Sequence, residues 1–177
     1  MKIVASIQAR MSSSRLPGKV LKQVAGKPLL AWQIERLNQS LLLDQIIVAT
    51  SSKPVDDPIF EFCRANNVEC FRGPEEDVLE RVSSLIQKHS IDVHVEAFGD
   101  SPLVDVEIVD SLVGYFIKNI TNVDFVTNSY DCGFPAGTDV NVFGGKILSD
   151  INHSLKPNDP NREHVGFNIA NSDGYNI

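Results

Sequence analysis

KIVASIQARMSSSRLPGK (Lys2–Lys19) joins a β-branched apolar run to a loop rich in hydroxyls and cations. Lys2 to Gln8 reads as the first strand of a domain. The loop from Gln8 to Lys19 holds Arg10, Arg15 and Lys19, three serines, one glycine and no acid. A phosphate chain needs these residue types. Gly18 and the serines let backbone N–H groups approach an anion, the arginines fork onto phosphate oxygens, and the lysine adds a mobile point charge. The order is neither the GxxxxGK[ST] of a Walker loop nor the GxGxxG of a dinucleotide fold. A solvated basic loop is the competing reading.

Working outward, short β-branched runs alternate with longer amphipathic stretches, the pattern of an α/β domain with a largely parallel sheet. Pro28 opens a predicted helix whose stripe is Leu30, Ile34, Leu37 and Leu41. Gln45 to Ser52 is a second strand, and Asp56, Asp57 and Pro58 mark the next helix start. Val68 to Phe71 is a third strand. A helix then runs from about Glu75, with Val78, Leu79, Val82, Leu85 and Ile86 on one face. Asp92 to Phe98 is a fourth strand, and Asp105 begins another helix. DFVTNS and DVNVF read as further strands and GGKILSDIN as a short helix, whereas KPNDPNREHV reads as irregular. In open sheets of this kind ligands sit beyond the carboxyl ends of the strands. The loops at 8–19, 50–53 and 99–105 are therefore expected to converge.

At 177 residues the chain fits one domain. SDGYNI closes on polar, turn-forming residues, so residues 1–177 are expected to be a single domain lacking a C-terminal portion. The formal charge of −7 argues against a nucleic-acid partner, whose footprint would be a basic face. Its distribution is informative: Arg10, Arg15, Lys19, Lys22 and Lys27 precede the first acid, Glu35, so one cationic site sits in an acidic protein. No run approaches the roughly 20 apolar residues of a membrane helix, and no anchor motif is present. No membrane partner and a cytoplasmic location are the expectations. Cys63, Cys70 and Cys132 lack CxxC spacing and read as buried thiols. His89, His94, His153 and His164 show no ligand spacing, which argues against a histidine metal site.

FGDSPLVD supplies the second chemical signal. Asp100, after Gly99 at a strand's carboxyl end, is a natural ligand for Mg²⁺, which takes carboxylates and phosphate oxygens and keeps several waters. An ordinary Gly-Asp-Ser-Pro turn is the alternative.

Together QARMSSSRLPGKVLKQVAGKPLL, IIVATS, GPEEDVLERV and FGDSPLVD resemble the cytidylyltransferase family that makes CMP-activated acidic sugars, similar to the acylneuraminate and octulosonate cytidylyltransferases and especially to the spore coat polysaccharide biosynthesis branch. The resemblance covers residues 1 to about 110 and, more loosely, FPAGTDVNVF and NREHV. It implies a three-layer, Rossmann-like α/β nucleotide-diphospho-sugar transferase fold with a mainly parallel mixed sheet. It also implies transfer of CMP from CTP to an acidic sugar or sugar phosphate, with Mg²⁺ as cofactor and a homodimer as the working form. Arg10, Arg15 and Lys19 would hold the triphosphate and, with Asp100 on the metal, form the catalytic set. Gln8, Ala9, Ser13, Lys27, Thr50, Ser51 and Arg81 would complete the nucleotide site, and Arg162, Glu163 and His164 would contact the acceptor. A solvated helix arginine is the other reading of Arg81, and a plain surface loop that of NREHV.

Two departures bear on the substrate. The further metal-binding acid of better-known members is not identified, although Asp139 could substitute for it unless it is a turn aspartate. Ser101 stands where octulosonate enzymes carry an acid, so the resemblance does not transfer the sugar's identity. A glycosyltransferase or other nucleotidyltransferase of the same fold, and a non-catalytic nucleotide-binding module, remain alternatives.

Overall fold

A computed structural model describes residues 1–13, 15–129, 133–135, 137–172 and 174–177. Cys132 lies outside the described residues; Cys63 is buried and Cys70 half-buried. The chain begins with β1 (Ile3–Gln8), then a hairpin of β2 (Gln23–Val24) and β3 (Lys27–Pro28), and α1 (Leu29–Leu37). β4 (Gln45–Ser51), α2 (Asp57–Ala65), β5 (Glu69–Gly73) and α3 (Val78–His89) follow. β6 (Val93–Phe98), α4 (Val106–Lys118), β7 (Phe125–Thr127), β8 (Val140–Gly144), α5 (Gly145–Ser154) and α6 (Val165–Ala170) complete it.

The six-stranded sheet has the order β5-β4-β1-β6-β8-β7. β5, β4, β1 and β6 run parallel, and β8 is antiparallel to both β6 and β7. Alternation along β1 divides the core. Ile3, Ala5 and Ile7 pack with α1, α2 and α4, whereas Val4 joins the cluster beneath α3, α5 and α6. Three layers result. Strand order leaves β1 in one direction for β4 and β5 and returns on its other side as β6, so the topological switch lies between β1 and β6. Gly99 closes that junction: its N–H donates to Gln8 O at 2.9 Å, and a Cβ there would lie 2.4 Å from the same oxygen.

Three expectations change. Leu41 is 91 % exposed because α1 stops at Leu37. Ser40 Oγ accepts from the N–H groups of Leu42 and Leu43, and Asp110 accepts from Leu41 N–H, so side chains capture the backbone that a longer helix would need. α3 begins at Val78 rather than about Glu75, since Asp77 caps it by accepting from Glu80 N–H at 2.9 Å. The stretch read as irregular contains a 3₁₀ turn, Pro160–Glu163, followed by α6.

Candidate active site

A cleft of about 580 Å³ opens at the switch point. The β1 loop lines it with Gln8, Ala9, Arg10, Ser13, Arg15 and Lys19; α3 contributes Arg81, and the β6 loop Gly99 and Asp100. Glu163 and His164 line it at the start of α6. Ten of the fourteen residues singled out from sequence thus share one cavity.

The base of the β1 loop is anchored by a residue whose sequence reading was different. Asp56 sits where a helix cap was expected but makes no cap bond. Its carboxylate, fully buried, accepts from Met11 N–H at 2.7 Å and from Ser51 Oγ–H. A second tie links Ser12 Oγ to Glu75 at 2.8 Å, and Lys53 Nζ pairs with Glu75 at 2.5 Å. Residues 50–53 therefore brace the loop without lining the cleft. Thr50 and Ser51 are buried, with Ser51 committed to Asp56.

Two other candidates also lie outside the cleft lining. Lys27, on the β2–β3 hairpin, pairs with Glu35 and sits 4.0 Å above the Trp32 ring. This hairpin, turned by Ala25 (φ 48°) and Gly26 (φ 89°), leaves it outside the cleft lining. Arg162 is buried as a staple: Nε donates to Asp77 Oδ2 at 2.7 Å, Nη1 to the carbonyls of Asn152 and Leu155, and Nη2 to Asn152 Oδ1. It fixes the 3₁₀ turn against α3 and α5, leaving its neighbours Glu163 and His164 at the cleft.

Within the cleft, Lys19 Nζ lies 2.6 Å from Asp100 Oδ2, a pairing that holds the Asp100 carboxyl below its ordinary range. Arg10 Nη2 is 3.7 Å from Glu163 Oε1. Arg81 is buried, its Nη1 on Pro74 O and its Nη2 3.2 Å from Gln8 Oε1, and burial chiefly lowers its pKa. From there a polar chain descends: Gln8 Nε2 donates to Ser6 Oγ at 3.0 Å, which is 2.9 Å from His94 Nε2. Burial pushes His94 down to about 3, so the imidazole is neutral.

Sequence reasoning missed Glu96, Asn141 and Gly166. Glu96 of β6 pairs in register with Asn141 of β8, and Asn141 Nδ2 donates to Glu96 Oε2 at 2.8 Å. Burial pushes the Glu96 carboxyl up to about 7. Gly166 fits closely over the pair, since a Cβ there would lie 2.3 Å from Asn141 Nδ2. The available signal was the acid inside an apolar strand, VHVEAF.

For Mg²⁺, the donor set offers Asp100, kept ionised by Lys19, with Asp139 lining the same cleft. No group of three His, Cys, Asp or Glu that could cage a metal occurs among the described residues. Such a set suits an ion held largely by phosphate oxygens and water, the usual habit of Mg²⁺.

The family profile described as cytidylyltransferase matches residues 4–148. The chain belongs to the cytidylyltransferase family. Cytidylyltransferase relatives include the 3-deoxy-manno-octulosonate cytidylyltransferase of Chlamydia caviae, 31 % identical over 93 % of this chain and 69 % of its own length. Bacillus subtilis spore coat polysaccharide biosynthesis protein SpsF is 33 % identical over 96 % of this chain and 70 % of its own. A Methanocaldococcus jannaschii protein is 44 % identical over 72 % of this chain, and the match spans only 51 % of that relative. The structure of a cytidylyltransferase from Leptospira borgpetersenii superposes with a TM-score of 0.88 at 33 % identity, covering 93 % of this chain and 69 % of that one. Among the described residues no helix is long and apolar enough to cross a membrane.

Proposed function

We propose that this cytidylyltransferase transfers CMP from CTP to an acidic sugar or sugar phosphate, releasing pyrophosphate, in surface polysaccharide synthesis. The observation that carries this reading is the meeting of the cationic β1 loop and the β6-loop acid Asp100 in one cleft at the topological switch. The names of the octulosonate and spore coat relatives support the reaction class and the pathway type.

A sugar oxygen forms a bond to the α-phosphorus as the α–β phosphoanhydride bond breaks, and the hydroxyl proton leaves to solvent or a neighbouring base. Positioning and charge neutralisation supply most of such catalysis. Arg10, Arg15 and Lys19 hold the triphosphate and stabilise the charge growing on the leaving pyrophosphate. Ser13 and the backbone at Gln8 and Ala9 position the nucleotide, and Arg81 stiffens the wall through Gln8. Glu163 and His164 face the acceptor. Asp100, with Asp139 as second acid, would hold Mg²⁺, which when bound neutralises charge on the transferring phosphate. The working form is a cytoplasmic homodimer by the habit of the family.

Nucleotide preference tests the donor. Thermal shift with Mg²⁺ should rank CTP above ATP, GTP and UTP; stronger stabilisation by a nucleotide sugar than by CTP would favour a glycosyltransferase instead.

A further inference from the structure

Glu96 is only 2 % exposed, yet it lines the cleft. The donors holding its carboxyl are neutral, Asn141 Nδ2 and the Gly166 N–H. Three of the four cations that share the cavity are turned elsewhere, Lys19 to Asp100, Arg10 towards Glu163, and Arg81 to Pro74 and Gln8, and the fourth, Arg15, forms no ion pair with Glu96. Among the described residues no lysine or arginine nitrogen forms an ion pair with Glu96. Beside it, Asn141 is 6 % exposed and its Oδ1 has no hydrogen-bond partner. A buried acceptor left unsatisfied is destabilising, and the burden is lifted when a ligand brings a donor.

We infer that Glu96 and Asn141 form an acceptor-reading floor that binds hydroxyl groups of the sugar, two hydrogen-bond-accepting positions set side by side across the β6–β8 register. This assignment rests on the transferase reading and adds to it the chemistry of the sugar face. Sugar hydroxyls are hydrogen-bond donors and carry no charge to be desolvated. A carboxylate on this floor would meet an acid with no cation beside it, so the acidic end of an acceptor is directed to the cationic β1 side of the cleft. The close fit of Gly166 over the pair keeps its geometry fixed. Burial that raises the Glu96 pKa adds support, because a carboxyl desolvated without a cation is one that a ligand donor can satisfy.

The test uses protein carrying ¹³C-labelled glutamate, with the Glu96 side-chain carboxyl resonance assigned by its loss in Glu96→Gln. The protein is titrated with α,β-methylene-CTP, whose transferable bond cannot break. Then 3-deoxy-manno-octulosonate, an N-acylneuraminate or a hexose 1-phosphate is added. The expected result is a saturable shift with at least one sugar and none with the nucleotide alone. Calorimetry at pH 8, where the Glu96 carboxyl is ionised, should show that sugar's affinity falling about tenfold in Glu96→Gln, as expected when a charged acceptor is replaced by a more weakly accepting neutral amide, with nucleotide affinity within twofold. A shift with nucleotide alone, no shift with any of the three sugars, or unchanged sugar affinity in the variant overturns the assignment. Pyrophosphate release from CTP is followed in parallel. A saturable sugar shift without release supports the floor and removes the transferase reading; release without a shift does the reverse.

Discussion

Lys19 Nζ is 2.6 Å from Asp100 Oδ2, so the cation assigned to the triphosphate and the acid assigned to the metal neutralise each other across the cleft. The two come from loops on either side of the switch point, after β1 and after β6. On the proposed reading, nucleotide binding would draw Lys19 onto phosphate and free the carboxylate, so the pair would order the two loops rather than act as a source of stability.

Lys19→Ala is accordingly expected to lower kcat/KM for CTP by about 100-fold or more, the scale for removing a charge-stabilising donor. The pair is partly exposed, and such pairs contribute about 0–1 kcal/mol. The melting temperature should therefore move by no more than about 4 °C. Parallel melting curves and initial rates check this; a collapse in stability would make the pair structural.

Asp56→Ala leaves the Met11 N–H and the Ser51 hydroxyl without their buried partner. A loss of about 2–3 kcal/mol is expected, together with weaker CTP binding because the β1 loop loses its anchor. Asp56→Asn, which retains acceptor oxygen, should recover part of both. Denaturant titration and calorimetry read the two effects separately.

Gly99→Ala would drive a methyl to 2.4 Å from Gln8 O, a backbone contact that cannot yield without opening β1 from β6. The predicted outcome is a protein with greatly reduced CTP affinity and lowered stability. Gly114→Ala is the control, since its nearest neighbour would be Leu42 Cδ1 at 3.9 Å and helix propensity favours alanine.

Glu96 makes stability depend on pH. Its carboxyl ionises near 4.5 in the unfolded chain and at about 7 in the fold. Between these values the native state binds the extra proton, so this group's contribution falls as pH rises through about 7 and levels off only well above it. His94, pushed down to about 3, acts oppositely: the unfolded chain takes up its proton first as pH falls below 6.5. Glu96→Gln isolates the first effect, with His94, Arg81, Asp139 and His164 unchanged around it. The variant should gain about 3 kcal/mol on wild type between pH 4 and pH 8, the equivalent of the Glu96 displacement. Urea unfolding at the two pH values measures it, and a pH-independent difference would contradict the burial of this carboxyl.

Much of the fold was legible because its signals are local. The β1 run, the α3 face and the Asp105 cap follow from alternation, helical spacing and capping chemistry, and each appears within a few residues of its expected position. Where side chains from afar decided, local pattern failed. Asp110 and Ser40 end α1 before Leu41, and Asp56 serves the β1 loop instead of its own helix. The site shows the same division. The cationic loop and the Gly-Asp turn are contiguous signals, whereas the Glu96–Asn141 pair spans 45 residues and exists only through the β6–β8 register. Arg162 and Glu163 are adjacent in sequence, yet one is buried as a staple and the other faces the cleft.

The most direct test of CMP transfer is pyrophosphate release from CTP and Mg²⁺ with acidic sugars and sugar phosphates, run beside Asp100→Asn. Release that requires both CTP and one acceptor, and that falls by about 100-fold or more in the variant, is the expected result. Tight CTP binding with no acceptor-dependent release from any sugar in the panel, or release that Asp100→Asn leaves intact, would contradict it.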